Sequence, residues 1–152
     1  MAHFCKLNSD NIVEEVYEDG IFGLTHYLPH RPVVRRDKET TKVRPVFDAS
    51  AHERGGLSLN DYLHTGPSLL CQICDIIIRA CFKKIIVIAD IRQAFLNIEI
   101  NQQHKDLLRF LPVNRENPSE IRKYRFNRGC FGVTCLLFIL SATIIKLEYI
   151  ER

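Results

Sequence analysis

The spacing of hydrophobic and polar positions changes several times along the chain, and each change predicts an element. Leu70, Ile73, Cys74, Ile77, Ile78 and Cys81 follow the i, i+3, i+4 rhythm of an amphipathic helix running from Leu69 to about Phe82. Lys83 and Lys84 then stand at its end, where they suit the negative end of the helix dipole. IIVIA, residues 85–89, is a short run rich in β-branched residues and predicts a buried strand, closed by Asp90. IRQAF reads as a turn or partial helix, LNIEI alternates, and LLRFLP predicts a strand ending at Pro112. KYRFN predicts a further strand that pairs with LLRF as a hairpin. GCFGV turns the chain, and TCLLFILSATIIKLEYI predicts a long, mostly buried helix with Thr134 as its N-cap.

Upstream the pattern is weaker. Residues 10–28 are mixed and read as loosely structured, and residues 1–26 as a whole form a poorly defined N-terminal segment. YLPHRPVVR and KVRPVFDAS predict two short strands joined by the polar turn DKETT, with prolines 29, 32 and 45 suiting edge positions. AHERGGLSLNDYLHTGPS is loop-like, broken by glycines and Pro67. Antiparallel pairs interleaved with helices imply a two-layer α+β domain, an antiparallel sheet packed on two helices, with divisions near residues 27–84 and 85–152. The closing helix is apolar on nearly every face between Cys135 and Ile145 and calls for cover on more than one side, so the domain is expected to be incomplete at its C-terminus.

Composition narrows the picture. The 152 residues, 46% hydrophobic, suffice for one ordinary domain. A net charge of +3 is too small to imply a nucleic-acid partner, but its distribution is uneven. Arg31, Arg35, Arg36, Lys38, Lys42 and Arg44 face two acids within one short stretch, and Arg122, Lys123, Arg125 and Arg128 form a second cluster with no acid among them. Either patch suits phosphate, and either would also serve as a solvated face. The opening MAHFCKLNSD lacks the apolar core of a signal peptide, so the six cysteines are expected as reduced thiols in an intracellular protein of cytoplasm or nucleus, not a secreted one. The run CFGVTCLLFILSATII would span about 24 Å as a helix against a bilayer core of about 30 Å, so a buried helix is expected and no membrane partner.

Asp90 is the residue on which chemistry would turn. A carboxylate at the carboxyl end of a strand either sits at the sheet rim as a catalytic or metal-binding group or begins a turn by accepting backbone hydrogen bonds. Nucleotidyl transfer with two Mg²⁺ ions needs more than one carboxylate, so Asp90 alone is half a site. Cys71 and Cys74 have the spacing of a redox pair or half a zinc site, but they lie on the apolar rhythm of a helix and are expected to pack in the core. No P-loop, GxGxxG, HExxH or nucleophile-elbow pattern occurs.

Four stretches carry a resemblance: KVRPVFDAS at 42–50 with LN at 59–60, ADIRQAFLNIEI at 89–100, DLLRF at 106–110, and FGVT followed by Phe138, Ala142 and Thr143. In this order and spacing the chain, over about residues 27–147, resembles the reverse transcriptases of LTR-type retroelements, most nearly the Pao/BEL group. The resemblance implies polymerase fingers and a first palm helix over 27–84 and a partial palm over 85–152. It implies that Asp90 binds the catalytic Mg²⁺ ions. It implies that Phe95 lies beneath the incoming sugar and selects deoxynucleotides. Arg44, with Lys42 nearby, would grip the triphosphate, a task that suits a forked, permanently charged guanidinium. Phe131 and Gly132 would pack near nucleotide and template. Arg35, Arg36, Arg122, Lys123 and Arg125 would contact an RNA/DNA primer-template, with dNTP and Mg²⁺ as the other partners and no small-molecule cofactor.

The departures matter as well. The family's turn usually continues with Ser-Pro-Phe and an Asn before Ala-Thr, and here Cys135, Leu136, Leu137, Phe138 and Ser141 stand instead. The Tyr/Phe-x-Asp-Asp hairpin that supplies the remaining metal carboxylates does not occur in these 152 residues. The expectation is therefore a fragment of an RNA-directed DNA polymerase, inactive alone. A noncatalytic nucleic-acid-binding or interaction remnant of a retroelement polyprotein, or a decaying piece that folds poorly, are the alternatives.

Overall fold

The computed structural model describes residues 10–20, 24–34, 43–112 and 121–150. Two antiparallel β units carry the structure. The first is a three-stranded sheet of order β1-β5-β4, with β1 Val13–Val16, β4 Arg109–Phe110 and β5 Lys123–Phe126. The second is the hairpin of β2 His30–Val34 and β3 Val43–Phe47, in register His30 to Phe47 and Val34 to Val43. The predicted hairpin strands are present; the DKETT turn lies outside the described residues.

KYRF pairs with RF as the alternation implied, Arg109 opposite Arg125 and Phe110 opposite Tyr124. The other edge of β5 is taken by β1, with Val13 opposite Phe126 and Val16 opposite Lys123. The segment expected to be loosely structured thus contributes a strand, with Ile12 and Val13 buried at its start.

An aromatic cluster ties the two units together. Phe47 meets Phe110 and Phe126 with ring centroids 5.0 and 4.9 Å apart, both edge-on, and His30 lies 5.3 Å from Phe47. Such tilted pairs add about 0.5–1.5 kcal/mol each beyond area burial. They fix the root of the hairpin, whereas Val34 near its tip stays exposed. Burial also pushes the pKa of His26 and His30 down, so both are favoured as neutral rings.

Beneath the sheet runs a charged network. Arg109, 2% exposed, gives Asp106 two contacts of 2.9 Å and donates to the Glu18 carbonyl at 3.0 Å. Arg125 reaches the same Asp106 oxygen at 3.0 Å and Glu14 at 2.5 Å, and Lys123 pairs with Asp19. Burial opposes the charge on Asp106, but hydrogen bonds from Arg125 and Arg109 outweigh it and hold the carboxyl below its usual range.

Three helices complete the described fold: α1 Leu59–Tyr62, α2 Ile73–Cys81 and α3 Cys135–Ile150, with 3-10 turns at Ala94–Asn97 and Gln102–Leu108. The stretch read as loop hides α1, a single turn closed by a capping box in which the Ser58 backbone N–H donates to the Asp61 carboxylate at 2.8 Å and the Asp61 backbone N–H donates back to the Ser58 hydroxyl at 3.3 Å. Helix α3 buries Leu136 and Ser141, and its last turn exposes Leu147, Tyr149 and Ile150. No described helix is long and apolar enough to cross a membrane.

Two expectations fail here. Residues 85–90 form no strand, and Ile85, Ile86, Val87 and Ile88 are exposed, Ile88 by 92%. A strand is a pairing rather than a run of residues, and no described segment supplies this one with a partner. Helix α2 covers 73–81 of the 69–82 predicted and buries no residue, and Cys74 within it and Cys71 before it are exposed instead of packed in a core. Of the two helices expected on the sheet, α3 alone buries side chains.

Candidate functional site

The segments that carry chemistry meet around Asn60, at the second position of α1. Its backbone donates to the Ala49 carbonyl at 3.1 Å, which seats α1 against the end of β3. Its side-chain nitrogen donates to the Ser50 hydroxyl at 2.8 Å and the Gly132 carbonyl at 2.9 Å, and its oxygen accepts from the Thr134 backbone at 3.0 Å. One amide thereby uses both donor and acceptor to bind the turn after β3 to the turn before α3. Thr134 was expected to cap α3 with its own hydroxyl; that hydroxyl is buried without a hydrogen-bond partner, and Asn60 meets the backbone N–H at the helix entry instead.

The turn at 129–133 is shaped by two glycines. Gly132 holds φ at +99°, a conformation most side chains resist, and a Cβ there would come within 3.1 Å of the Phe47 carbonyl. At Gly129 a Cβ would lie 2.7 Å from the Phe95 carbonyl, and the Gly129 N–H donates to Ile98 at 2.9 Å. These close approaches bring Phe131 onto Phe95, ring centroids 4.9 Å apart and nearly perpendicular. Phe95 is half-buried against the core, and Phe131 covers it while remaining 61% exposed.

Between Asp90 and Phe95 the backbone reverses at Gln93, with φ +54°, and the Asn97 side chain ties the turn down by donating to the Arg92 carbonyl at 3.2 Å. Asp90 itself is exposed and takes part in no hydrogen bond or ion pair among the described residues. A two-ion Mg²⁺ site needs several oxygen ligands from converging carboxylates. Among the described residues no three His, Cys, Asp or Glu side chains converge. These residues do not by themselves fit that pair of ions.

Arg44 lies exposed on the hairpin opposite Val33, and Arg31 lies opposite Val46. In an antiparallel ladder those four positions share one face, so the two arginines project from the same side. Lys42, Arg35 and Arg36 lie outside the described residues. The second basic cluster is not a bare patch. Arg125 is held by Glu14 and Asp106, Lys123 by Asp19, and Arg128 stands 3.9 Å from Glu99. Counted locally the stretch had no acid; the acids arrive from β1, the segment after it, and residues 99–106.

The structure therefore brings Phe95, Phe131 and Gly132 together and leaves Asp90 and Arg44 on exposed segments. Asn60 was quoted in the LN pair at 59–60 but given no role, and the acids were not singled out. The S-x-x-D box before LNDY would have placed α1, and the acidic run at 14, 15, 18 and 19 is the signal that a partner for 122–128 existed. Comparison with protein-family models gives no match to this chain, and comparison with curated proteins gives none either.

Proposed function

We propose that the chain is the fingers and first part of the palm of a retroelement reverse transcriptase of the Pao/BEL type, competent for template-directed DNA synthesis only when completed by the Asp-Asp hairpin. The supporting observation is the convergence on Asn60 and Phe131. Three of the four stretches, 42–50 with 59–60, 89–100 and 131–134, over 80 residues apart at the extremes, are joined by the Asn60 hydrogen bonds and the Phe95–Phe131 contact. Chance similarity in short stretches would not require them to meet.

In this reading Asp90 holds Mg²⁺ in the completed enzyme, Arg44 and Lys42 receive the triphosphate, Phe95 stands under the sugar with Phe131 and Gly132 beside it, and the hairpin with Arg35 and Arg36 follows the primer-template. Arg122, Lys123 and Arg125 are weaker candidates for nucleic-acid contact, because the last two are engaged with carboxylates.

The test is fluorescence anisotropy of a labelled RNA/DNA primer-template over a salt series. Salt-sensitive binding is expected, weakened uniformly across sequences by Arg44→Ala and Arg31→Ala, each lowering the log–log salt slope by about 1. Lys123→Ala should change it little. Absence of binding at low salt, or equal loss from all three variants, contradicts the assignment of the hairpin.

A further inference from the structure

The backbone at Gln93 has no local explanation. It stands at φ +54°, ψ +41° in the left-handed region, where a residue with a side chain is strained. Its side chain is exposed and makes no hydrogen bond to a described residue, so no contact of its own offsets the strain. Asn11, which shares the conformation, is of a type that tolerates it, and its amide oxygen accepts from Asn127 at 3.3 Å. We propose that Gln93 is a positioning residue: its left-handed turn sets the direction in which residues 90–92 leave the segment carrying Phe95, and so where the Asp90 carboxylate stands relative to that ring. The inference rests on the polymerase reading and adds to it a residue that touches no substrate.

Two observations carry this. The first is that the strain is held in place. Both carbonyls flanking the Gln93 backbone are engaged: that of Arg92 accepts from Asn97 Nδ2 at 3.2 Å, and that of Gln93 accepts from the Leu96 N–H at 2.8 Å and from Asn97 Nδ2 at 3.4 Å. The segment that supplies these donors is itself anchored. The Ile98 N–H donates to the Phe95 carbonyl at 3.1 Å, the Gly129 N–H to the Ile98 carbonyl at 2.9 Å, and the Ile100 N–H to the Asn127 carbonyl at 3.0 Å. Strained backbone persists where its surroundings over-determine it, and such places cluster at functional sites.

The second is where the strain falls. Residues 85–92 are exposed throughout, and Asp90 has no hydrogen bond or ion pair among the described residues to hold it. Its direction is therefore set through residues 91–94, which join it to Phe95, and of these Gln93 alone has a positive φ. An ordinary helical φ there would differ by roughly 120°, acting on a lever of about 10 Å from Gln93 to Asp90. The displacement would be several times the roughly 1 Å that costs about a hundredfold in rate when reacting groups are misplaced.

The test has two arms. In the full chain, NMR reads the handedness at residue 93 from its intraresidue HN–Hα cross-peak, strong for this positive φ and weaker for a negative one. The wild type should give the strong peak and Gln93→Val the weak one, since a β-branched side chain opposes left-handed backbone, with both circular dichroism spectra alike. In the chain fused to a Tyr/Phe-x-Asp-Asp palm segment, Gln93→Val should lower kcat for deoxynucleotide addition by about tenfold or more, with KM within about twofold. Gln93→Gly, which takes the turn without strain, should restore most of that rate. A weak cross-peak in the wild-type chain overturns the inference without reference to polymerisation. An active fusion indifferent to Gln93→Val, or one that loses as much with Gln93→Gly, overturns it while the polymerase reading stands. A folded wild-type fusion that adds no nucleotide sinks the polymerase reading and this inference with it.

Discussion

Replacing Asn60 by Ala tests the junction on which the site is built. The substitution removes three side-chain hydrogen bonds at once, to Ser50, Gly132 and Thr134. A net hydrogen bond is worth about 0.5–1.5 kcal/mol, and water can replace the exposed partners. The bonds to Ser50 and Gly132 are therefore assigned about 0.5 kcal/mol each. The Thr134 N–H is half-buried at the entry of α3, so losing its acceptor resembles loss of a helix cap, about 1 kcal/mol. The total is about 2 kcal/mol. With a urea m-value of about 2 kcal/mol/M for a chain of this size, the midpoint should fall by about 1 M, and the melting temperature by about 6 °C. Asn60→Asp keeps an acceptor for Thr134 and places negative charge near a helix start, so it should lose about half as much. Far-UV circular dichroism in urea, at concentrations where one species sediments, reads both variants. A loss under about 0.5 kcal/mol for Asn60→Ala would mean that the junction is held by apolar packing and that the amide is incidental.

Other consequences follow from the same structure. Asp106→Asn leaves Arg109, 2% exposed, with neutral partners and should cost about 3 kcal/mol by urea melt, whereas Lys123→Ala, on an exposed pair, should cost under about 1 kcal/mol. Stability should fall on acidification. His26 and His30 have folded pKa values below their ordinary 6.5, so the unfolded chain takes up protons first as pH drops through that value, and Glu14 and Asp106, held below 4.5 and 3.8, add a further loss below about pH 5. A stability flat from pH 7 to 4 would contradict both placements. Burial raises the Cys130 thiol to about 12, so it should resist alkylation in the folded chain at pH 8 while Cys71 reacts; equal rates would place Cys130 at the surface.

What was legible in the sequence was local. The β2–β3 hairpin, the pairing of 109–110 with 123–126, and α3 are elements whose partners are near in sequence or whose periodicity is long. β1 was not legible, because four residues of VEEV carry little alternation and their partner lies 110 residues away. Glu14, Asp19 and Asp106 show the same limit for charge: the cluster at 122–128 has no acid within its own segment and is largely neutralised by residues brought to it by the fold. IIVIA and α2 show the limit of hydrophobicity. An apolar run or stripe states what it would gain from cover, and the cover must come from elsewhere. At the site, Phe95, Phe131 and Gly132 were marked by the resemblance, and the amide that joins their segments, Asn60 of the LN pair at 59–60, was quoted with it but given no role because its stretch reads as loop.

Primer extension by the chain completed with a Tyr/Phe-x-Asp-Asp palm segment of the same retroelement group, expressed as a fusion, tests the central claim most directly. The chain alone should extend nothing. The fusion should add deoxynucleotides in the presence of Mg²⁺, Asp90→Asn should abolish addition without changing the melting temperature, and Phe95→Val should admit ribonucleotides. A folded fusion that extends no primer, or one that extends equally well with Asp90→Asn, would contradict the claim that this chain is the fingers and first palm of a polymerase.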